Sequence, residues 1–252
     1  MSEKQRYFIQ LAYDGTDFHG WQTQPNATTV QELLDDALTI VLREPIETLG
    51  CGRTDTGVHA RDFYAHFDSQ SLASGQQSLV KLVDSVNAIL PYTIAVKRII
   101  SVSTEAHARF DATSRSYEYH VHFYKDPFKI NHSWQLRDKP DIALMNAAAR
   151  IIMEHTDFSC FSKSNTQTFT NNCKITRAEW IYSEHCLVFH ITADRFLRNM
   201  VRAIVGTLML VGRKEIEPED VRGIVESKNR SNAGTSVPAC GLYLTEIKYP
   251  YL

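Results

Sequence analysis

The strongest constraint on the fold is that the hydrophobic period switches repeatedly between two and 3.6 residues along the chain. Residues 6–13 are short, rich in β-branched and aromatic side chains and followed by Asp14-Gly15, so they read as a strand ending in a turn. Val30, Leu33, Leu34, Ala37, Leu38, Val41 and Leu42 then recur at helical spacing, opened by a Thr29/Glu32 capping box and closed by Pro45. Residues 46–51 and 58–67 read as strands around a Gly- and Thr-rich turn, 79–90 as a second amphipathic helix and 93–100 as a further strand. The first hundred residues thus run β-α-β-β-α-β, the split ferredoxin-like order.

The second half repeats this theme around an irregular insertion at 126–140. Residues 115–124 alternate Tyr117, Tyr119, Val121 and Phe123 with Ser116, Glu118, His120 and His122, a strand pattern. Helices are expected at 142–155, 196–211 and 219–226, a strand pair at 173–182 and 187–192, and a closing strand at 241–249. The expected fold class is α+β, with two halves at 1–104 and 105–252 and no low-complexity linker between them.

Composition narrows the function. Of 252 residues 43% are hydrophobic and 22% charged, and 27 Lys and Arg against 29 Asp and Glu give a formal charge of −2, so a nucleic-acid partner has to be met by a local patch. Residues 1–6 are polar, and the longest uncharged apolar stretch, 203–212, falls short of the ~20 residues that span a bilayer, so a cytoplasmic protein without membrane contact is expected. Five cysteines without a Cys-x-x-Cys pair suggest neither a disulfide framework nor a zinc site. The ten histidines form no His-Glu-x-x-His motif, and neither glycine-rich nucleotide signature occurs, so neither a metal nor a cofactor is expected.

Three segments carry candidate chemistry. The first, Cys51 to Ala60, sets Asp55 in a turn between glycines, two residues after Arg53 and four before His59. Alone, such an aspartate commonly bonds its own backbone. Asp-Thr-Gly also occurs in aspartic proteases, but their chemistry shares one proton between two carboxylates and needs two triplets, and this chain has one. The second segment places Arg195, Arg198 and Arg202 at i, i+3 and i+7, on one face of the helix expected at 196–211. Five basic residues and one acidic lie between Ala193 and Lys214, which is either a solvated basic face or, because the remaining side chains are so apolar, buried arginine with an anion partner. The third interleaves basic and aromatic residues at His107-Ala108-Arg109-Phe110 and Arg115-Ser116-Tyr117, suited to phosphates and flipped bases, although Tyr117 reads equally as a core strand tyrosine.

Taken together, these segments resemble the bacterial tRNA pseudouridine synthase A family, the tRNA pseudouridine(38–40) synthases. The resemblance runs through Tyr13-Asp14-Gly15-Thr16-Asp17-Phe18-His19-Gly20-Trp21-Gln22, Thr29-Val30-Gln31-Glu32, Gly52 to Ala60, His107 to Phe110, Arg115 to Tyr119, Asn199-Met200-Val201-Arg202, Ile204-Val205-Gly206 and Gly241-Leu242-Tyr243-Leu244. It covers nearly the whole chain, with Thr56 standing where the family usually has Ala. It implies an isomerase that breaks the uridine N1–C1′ bond, turns the base and rejoins it through C5, at positions 38, 39 and/or 40 of the tRNA anticodon arm, without cofactor or metal. It implies Asp55 as the catalytic carboxylate and nucleophile, Arg202 as its ion-pair partner, and Tyr117 as the residue that stacks on the base and moves a proton. Substrate contacts fall to Arg53, His59, Arg109 and Arg198, with Leu242 and Leu244 walling the base pocket from one side of the last strand. Two ferredoxin-like halves with antiparallel sheets joined across a central catalytic cleft, in a homodimer embracing tRNA, belong to the same expectation. The competing expectation is an RNA-binding protein of ferredoxin-like fold without catalysis, for which a carboxylate beside phosphate ligands has no use.

Overall fold

The computed structural model describes residues 4–74, 78–163, 169–183 and 186–252, so residues 1–3 of the polar N-terminal stretch lie outside the described residues. The fold is α+β with mostly antiparallel strand pairing. It divides into two compact units, one of residues 1–113 with 244–252 and the other of residues 114–243. The expected halves, 1–104 and 105–252, placed the chain's last nine residues with the second.

In the first unit, β1 (Gln5–Tyr13) pairs antiparallel with β3 (His59–Ser69) on one side and β4 (Ile94–Ser101) on the other, while the two-residue β2 (Leu49–Gly50) adds to β3. Phe8, Ile9, Leu11, Phe63, Ala65 and Phe67 are buried. Two helices supply further apolar surface. Helix α1 (Val30–Leu42) buries Val30, Leu34, Ala37, Leu38 and Leu42, and its Thr29 cap hydroxyl accepts the Glu32 N–H. Helix α2 (Leu79–Ile89) buries Leu82 and Val86. Each fully buried aliphatic side chain contributes roughly 1.5–3 kcal/mol of transfer free energy, which is why these stripes decide where the helices lie.

In the second unit, β8 (Cys186–Ala193) pairs antiparallel with β5 (Ser114–His122) and with β7 (Ile175–Ser183). The insertion is less irregular than expected: a 3-10 turn at Pro127–Lys129 leads to β6 (Trp134–Gln135), which runs parallel to β5. Helices α3 (Ile142–Met153), α4 (Met200–Gly212) and α5 (Asp220–Glu226) complete the unit.

Helix α4 corrects one expectation. It begins at Met200, because Asn199 takes a left-handed backbone (φ 66°) that an α-helix cannot contain. Arg195 and Arg198 therefore precede the helix, and the shared arginine face at 195, 198 and 202 does not form. The helix is otherwise a core element. All of its residues except Arg202 and Leu210 are buried, and a Cβ on Gly206 would stand 1.9 Å from the Thr235 carbonyl oxygen, so the 234–235 segment crosses directly on its backbone.

Candidate active site

Asp55 sits in the loop between β2 and β3, in a tight turn where its carbonyl accepts the Val58 N–H at 3.1 Å and Gly57 takes φ 76°. A second loop, residues 14–21, is fitted against it. Trp21 N–H donates to the Thr54 carbonyl at 3.3 Å, Gly57 N–H donates to the Phe18 carbonyl at 3.3 Å, and the Tyr13 and Thr54 hydroxyls are 2.9 Å apart. The two glycines of the second loop are there for steric reasons. A Cβ on Gly15 would lie 2.1 Å from the Val58 oxygen, and one on Gly20, at φ 92°, 2.3 Å from the Thr54 oxygen. Trp21 anchors the pair by stacking on Phe63 at 4.1 Å between centroids.

His59 belongs to this framework. It is 2% exposed, its Nδ1 accepts the Gly15 N–H at 3.0 Å, and the same nitrogen is 3.0 Å from Asp14 Oδ1. The ring therefore ties the two loops together from below. Asp14 Oδ1 also accepts from the Thr16 N–H and hydroxyl, closing the turn at the end of β1. The motifs at 13–22 and 52–60, separate in the sequence, thus form one body that leaves Asp55 half-exposed and Arg53 exposed.

Arg109 and Phe110 lie on a further loop of the first unit. The Arg109 guanidinium is 5.7 Å from the Phe110 ring centroid, and both side chains are exposed. Their backbone N–H groups donate to His107 Nδ1 at 3.1 and 3.2 Å, and the His107 N–H donates to Asp111 at 2.7 Å. Burial holds the His107 ring below its ordinary pKa, which favours the neutral acceptor this loop requires. His66 beneath it accepts the Ala108 N–H at 3.1 Å and is pushed down to about 4, chiefly by burial and then by the charge of Arg6.

In the second unit, Tyr117 is half-buried on β5, its ring edge-on to Phe196 at 5.1 Å. Arg202 is half-buried rather than buried. Its Nε donates to the Val237 carbonyl at 2.8 Å and its own carbonyl accepts the Val237 N–H. The segment that holds it was not singled out in the sequence. Asn199 bonds Ser236, Arg230 bonds the Ala233 and Gly234 carbonyls, and Tyr119 donates to the Pro238 carbonyl. The polar run Asn229 to Ser236 reads as an ordinary loop, and only the close approach at Gly206 and Gly234 gives it a position. Arg198 is exposed, and Leu242 and Leu244, at 6% and 2% exposure, are buried on β9 (Leu242–Lys248).

The residues singled out in the sequence thus fall on a fixed acidic turn in one unit and, in the other, on β5 and α4. A family model described as tRNA pseudouridine synthase matches residues 148–250. The chain is 48% identical over 245 residues to tRNA pseudouridine synthase A of Parabacteroides distasonis, covering 97% of this chain and 96% of the relative. It is 47% identical over 247 residues to the enzyme of that name from Bacteroides fragilis (98% and 97% covered), and 35% identical over 243 residues to that of Clostridium acetobutylicum (96% and 98% covered). The chain belongs to the tRNA pseudouridine synthase family and is an enzyme of that type. Among the described residues no helix is long and apolar enough to cross a membrane.

Proposed function

We propose that the protein isomerises uridine to pseudouridine in the anticodon stem-loop of tRNA, at positions 38, 39 and/or 40, with Asp55 as the catalytic carboxylate. The observation that carries this reading is the convergence of the 13–22 and 52–60 motifs on the turn that carries the half-exposed Asp55, which backbone hydrogen bonds and glycine contacts hold in place. A group that must meet C6 of a base or C1′ of a sugar needs such a fixed position, since small misplacements cost large factors in rate. Tyr117 stacks on the uracil and passes a proton, and Arg202 is the counter-ion of Asp55. Arg53, Arg109 and Arg198 take phosphates, and Leu242 and Leu244 wall the base. His59 serves the site by holding Gly15. Flipping the uridine out of its stem costs a few kcal/mol, recovered from stacking and phosphate contacts. In the first unit β1 lies between β4 and β3, and the short β2 also pairs with β3, neighbour relations that support a split β-α-β half; a homodimer gathering its arginines around one tRNA completes the reading.

Incubation with an unmodified tRNA transcript followed by carbodiimide mapping tests it, because pseudouridine and uridine have the same mass. The wild-type chain is expected to modify the anticodon arm. Asp55→Asn is expected to keep its melting temperature and tRNA affinity while product falls to background. A variant that still forms pseudouridine removes Asp55 from the chemistry, and a wild type that binds without modifying leaves a passive RNA binder.

A further inference from the structure

The second unit carries a basic groove that none of the roles above uses. It lies where residues 136–141 meet the C-terminal end of α4, the Asp141 N–H donating to the Gly212 carbonyl at 2.8 Å. The groove has a volume of about 680 Å³ and is lined by four cations, Arg137, Lys139, Arg213 and Lys214, against two carboxylates, Asp138 and Asp141. Asp141 accepts the Leu144 N–H as the cap of α3 and stands 3.6 Å from Lys214, and Glu215 stands 3.9 Å from Arg213, so the two cations at the end of α4 are partly balanced locally.

Two of the cations rest over aromatic rings. Arg213 lies 6.0 Å from the Trp134 centroid, and Lys139 lies 5.8 and 5.5 Å from those of Phe123 and Tyr182, whose planes are within 3° of parallel. Gly212 lets Met145 and Pro140 pack directly on the end of α4, since a Cβ there would stand 2.5 Å from Met145 Sδ and 2.7 Å from the Pro140 ring, and this fixes the 136–141 segment against the helix. The C-terminal partial charge of α4 accounts for Arg213 and Lys214. It does not account for Arg137 and Lys139, which come from another segment and make the groove positive on a chain whose net charge is −2.

We infer that this groove binds the phosphodiester backbone of the substrate RNA outside the nucleotides that react. The inference rests on the tRNA reading above. Arg202 and Arg213 are on or just beyond the same helix, eleven residues and roughly 16 Å of helical rise apart, so an RNA held near Arg202 must extend beyond its reacting nucleotides to reach the groove. Two long cationic side chains already resting over rings lose less freedom on meeting phosphate than unsupported ones, and arginine and lysine beside aromatic faces suit a backbone with exposed bases.

The test uses the full-length protein and a tRNA transcript. Arg137→Gln with Lys139→Gln, and separately Arg213→Gln with Lys214→Gln, are titrated with tRNA across a salt series, and single-turnover pseudouridine formation is measured at saturating protein. With two contacts removed, each pair is expected to reduce the slope of log affinity against log salt by about 1.4–1.8, so that the affinity lost between about 50 and about 200 mM salt shrinks by about tenfold. The single-turnover rate at saturation should be unchanged. Arg137→Lys, which keeps the charge, should keep the wild-type slope. Wild-type slopes in both double variants overturn the groove, as does a weaker affinity with an unchanged slope. A wild-type protein whose salt slope depends on the groove but which makes no pseudouridine sustains the groove and overturns the catalytic reading instead.

Discussion

Asp35, on α1, holds a carboxyl largely withdrawn from water, whose oxygen accepts the Thr48 N–H at 3.0 Å. Burial outweighs that bond and pushes its pKa up to about 6 from an ordinary 3.8, with Glu47 and Asp36 adding to the shift. A carboxyl raised in the folded state binds its proton there first, so Asp35 weakens the fold at neutral pH and ceases to do so as pH falls through about 6 to 3.8. His66 works the other way. Its pKa is pushed down to about 4, so its contribution is complete above the ordinary 6.5 and is lost as pH falls toward about 4. The two effects oppose each other over nearly the same interval. Asp35→Asn keeps an oxygen for Thr48 and removes the charge. It is expected to raise stability at pH 7.5 by on the order of 1 kcal/mol, a figure already discounted for solvent screening. The gain should vanish by about pH 4, leaving the variant with a steeper acid loss than wild type because only His66 remains. Urea unfolding at several pH values reads both, and a gain independent of pH would show that packing, not charge, is responsible.

Among the elements, the loop pair around Asp55 depends on glycines more than on side-chain bonds. At Gly20 the left-handed φ and the 2.3 Å approach to the Thr54 oxygen act together, so an alanine can be accommodated only if residues 14–21 move off the 51–58 loop. Gly20→Ala is expected to cost roughly 1–3 kcal/mol and to lower single-turnover isomerisation well beyond the fraction unfolded, while the circular dichroism of the sheet persists. Activity that tracks only the folded fraction would mean the loop does not position Asp55. This loop pair was legible as two motifs, yet nothing in the spacing of Gly15, Gly20 and Val58 says that they touch. Helix α1 was legible almost to the residue because its stripe has the 3.6 period and Thr29 marks its start. Helix α4 was not, since Phe196 and Leu197 continue the apolar run and only the backbone angle at Asn199 stops it. Apolar pattern reports which residues leave water, and it carries no information about a single left-handed residue or about which distant carbonyl will cross a glycine. The groove at 136–141 and 212–214 escaped for the same reason: its cations come from two segments that no local pattern joins.

At the scale of the whole molecule, the end of the chain completes its beginning. The first unit takes in residues 244–252, and Leu244, Ile247 and Tyr249 are all buried. The Tyr249 ring stands edge-on to Phe8 and Tyr64 at 5.2 Å each, and its hydroxyl donates to the Ala108 carbonyl at 2.6 Å. The Lys248 carbonyl accepts the Thr113 N–H, and Tyr251 donates to Asp111. The loop that displays Arg109 and Phe110 is therefore braced by residues 248–251, and the first unit cannot finish folding until residues 114–243 have been made. Contacts of such sequence separation form late, because the loop they close costs entropy before they repay it. Tyr249→Ala removes a buried aromatic and leaves a carbonyl without its donor, and is expected to cost about 3–5 kcal/mol. Hydrogen exchange should locate that loss. Amides of β1, β3 and residues 107–113 should exchange faster, while those of β5 and β8 change less. Tyr249→Phe, which keeps the ring contacts and loses only the hydroxyl, should loosen residues 107–113 selectively at a cost of about 1–3 kcal/mol, and should weaken tRNA binding in proportion if Arg109 and Phe110 contact RNA. Equal acceleration in both units, or tight protection of residues 107–113 in Tyr249→Ala, would show that the chain end does not support this loop.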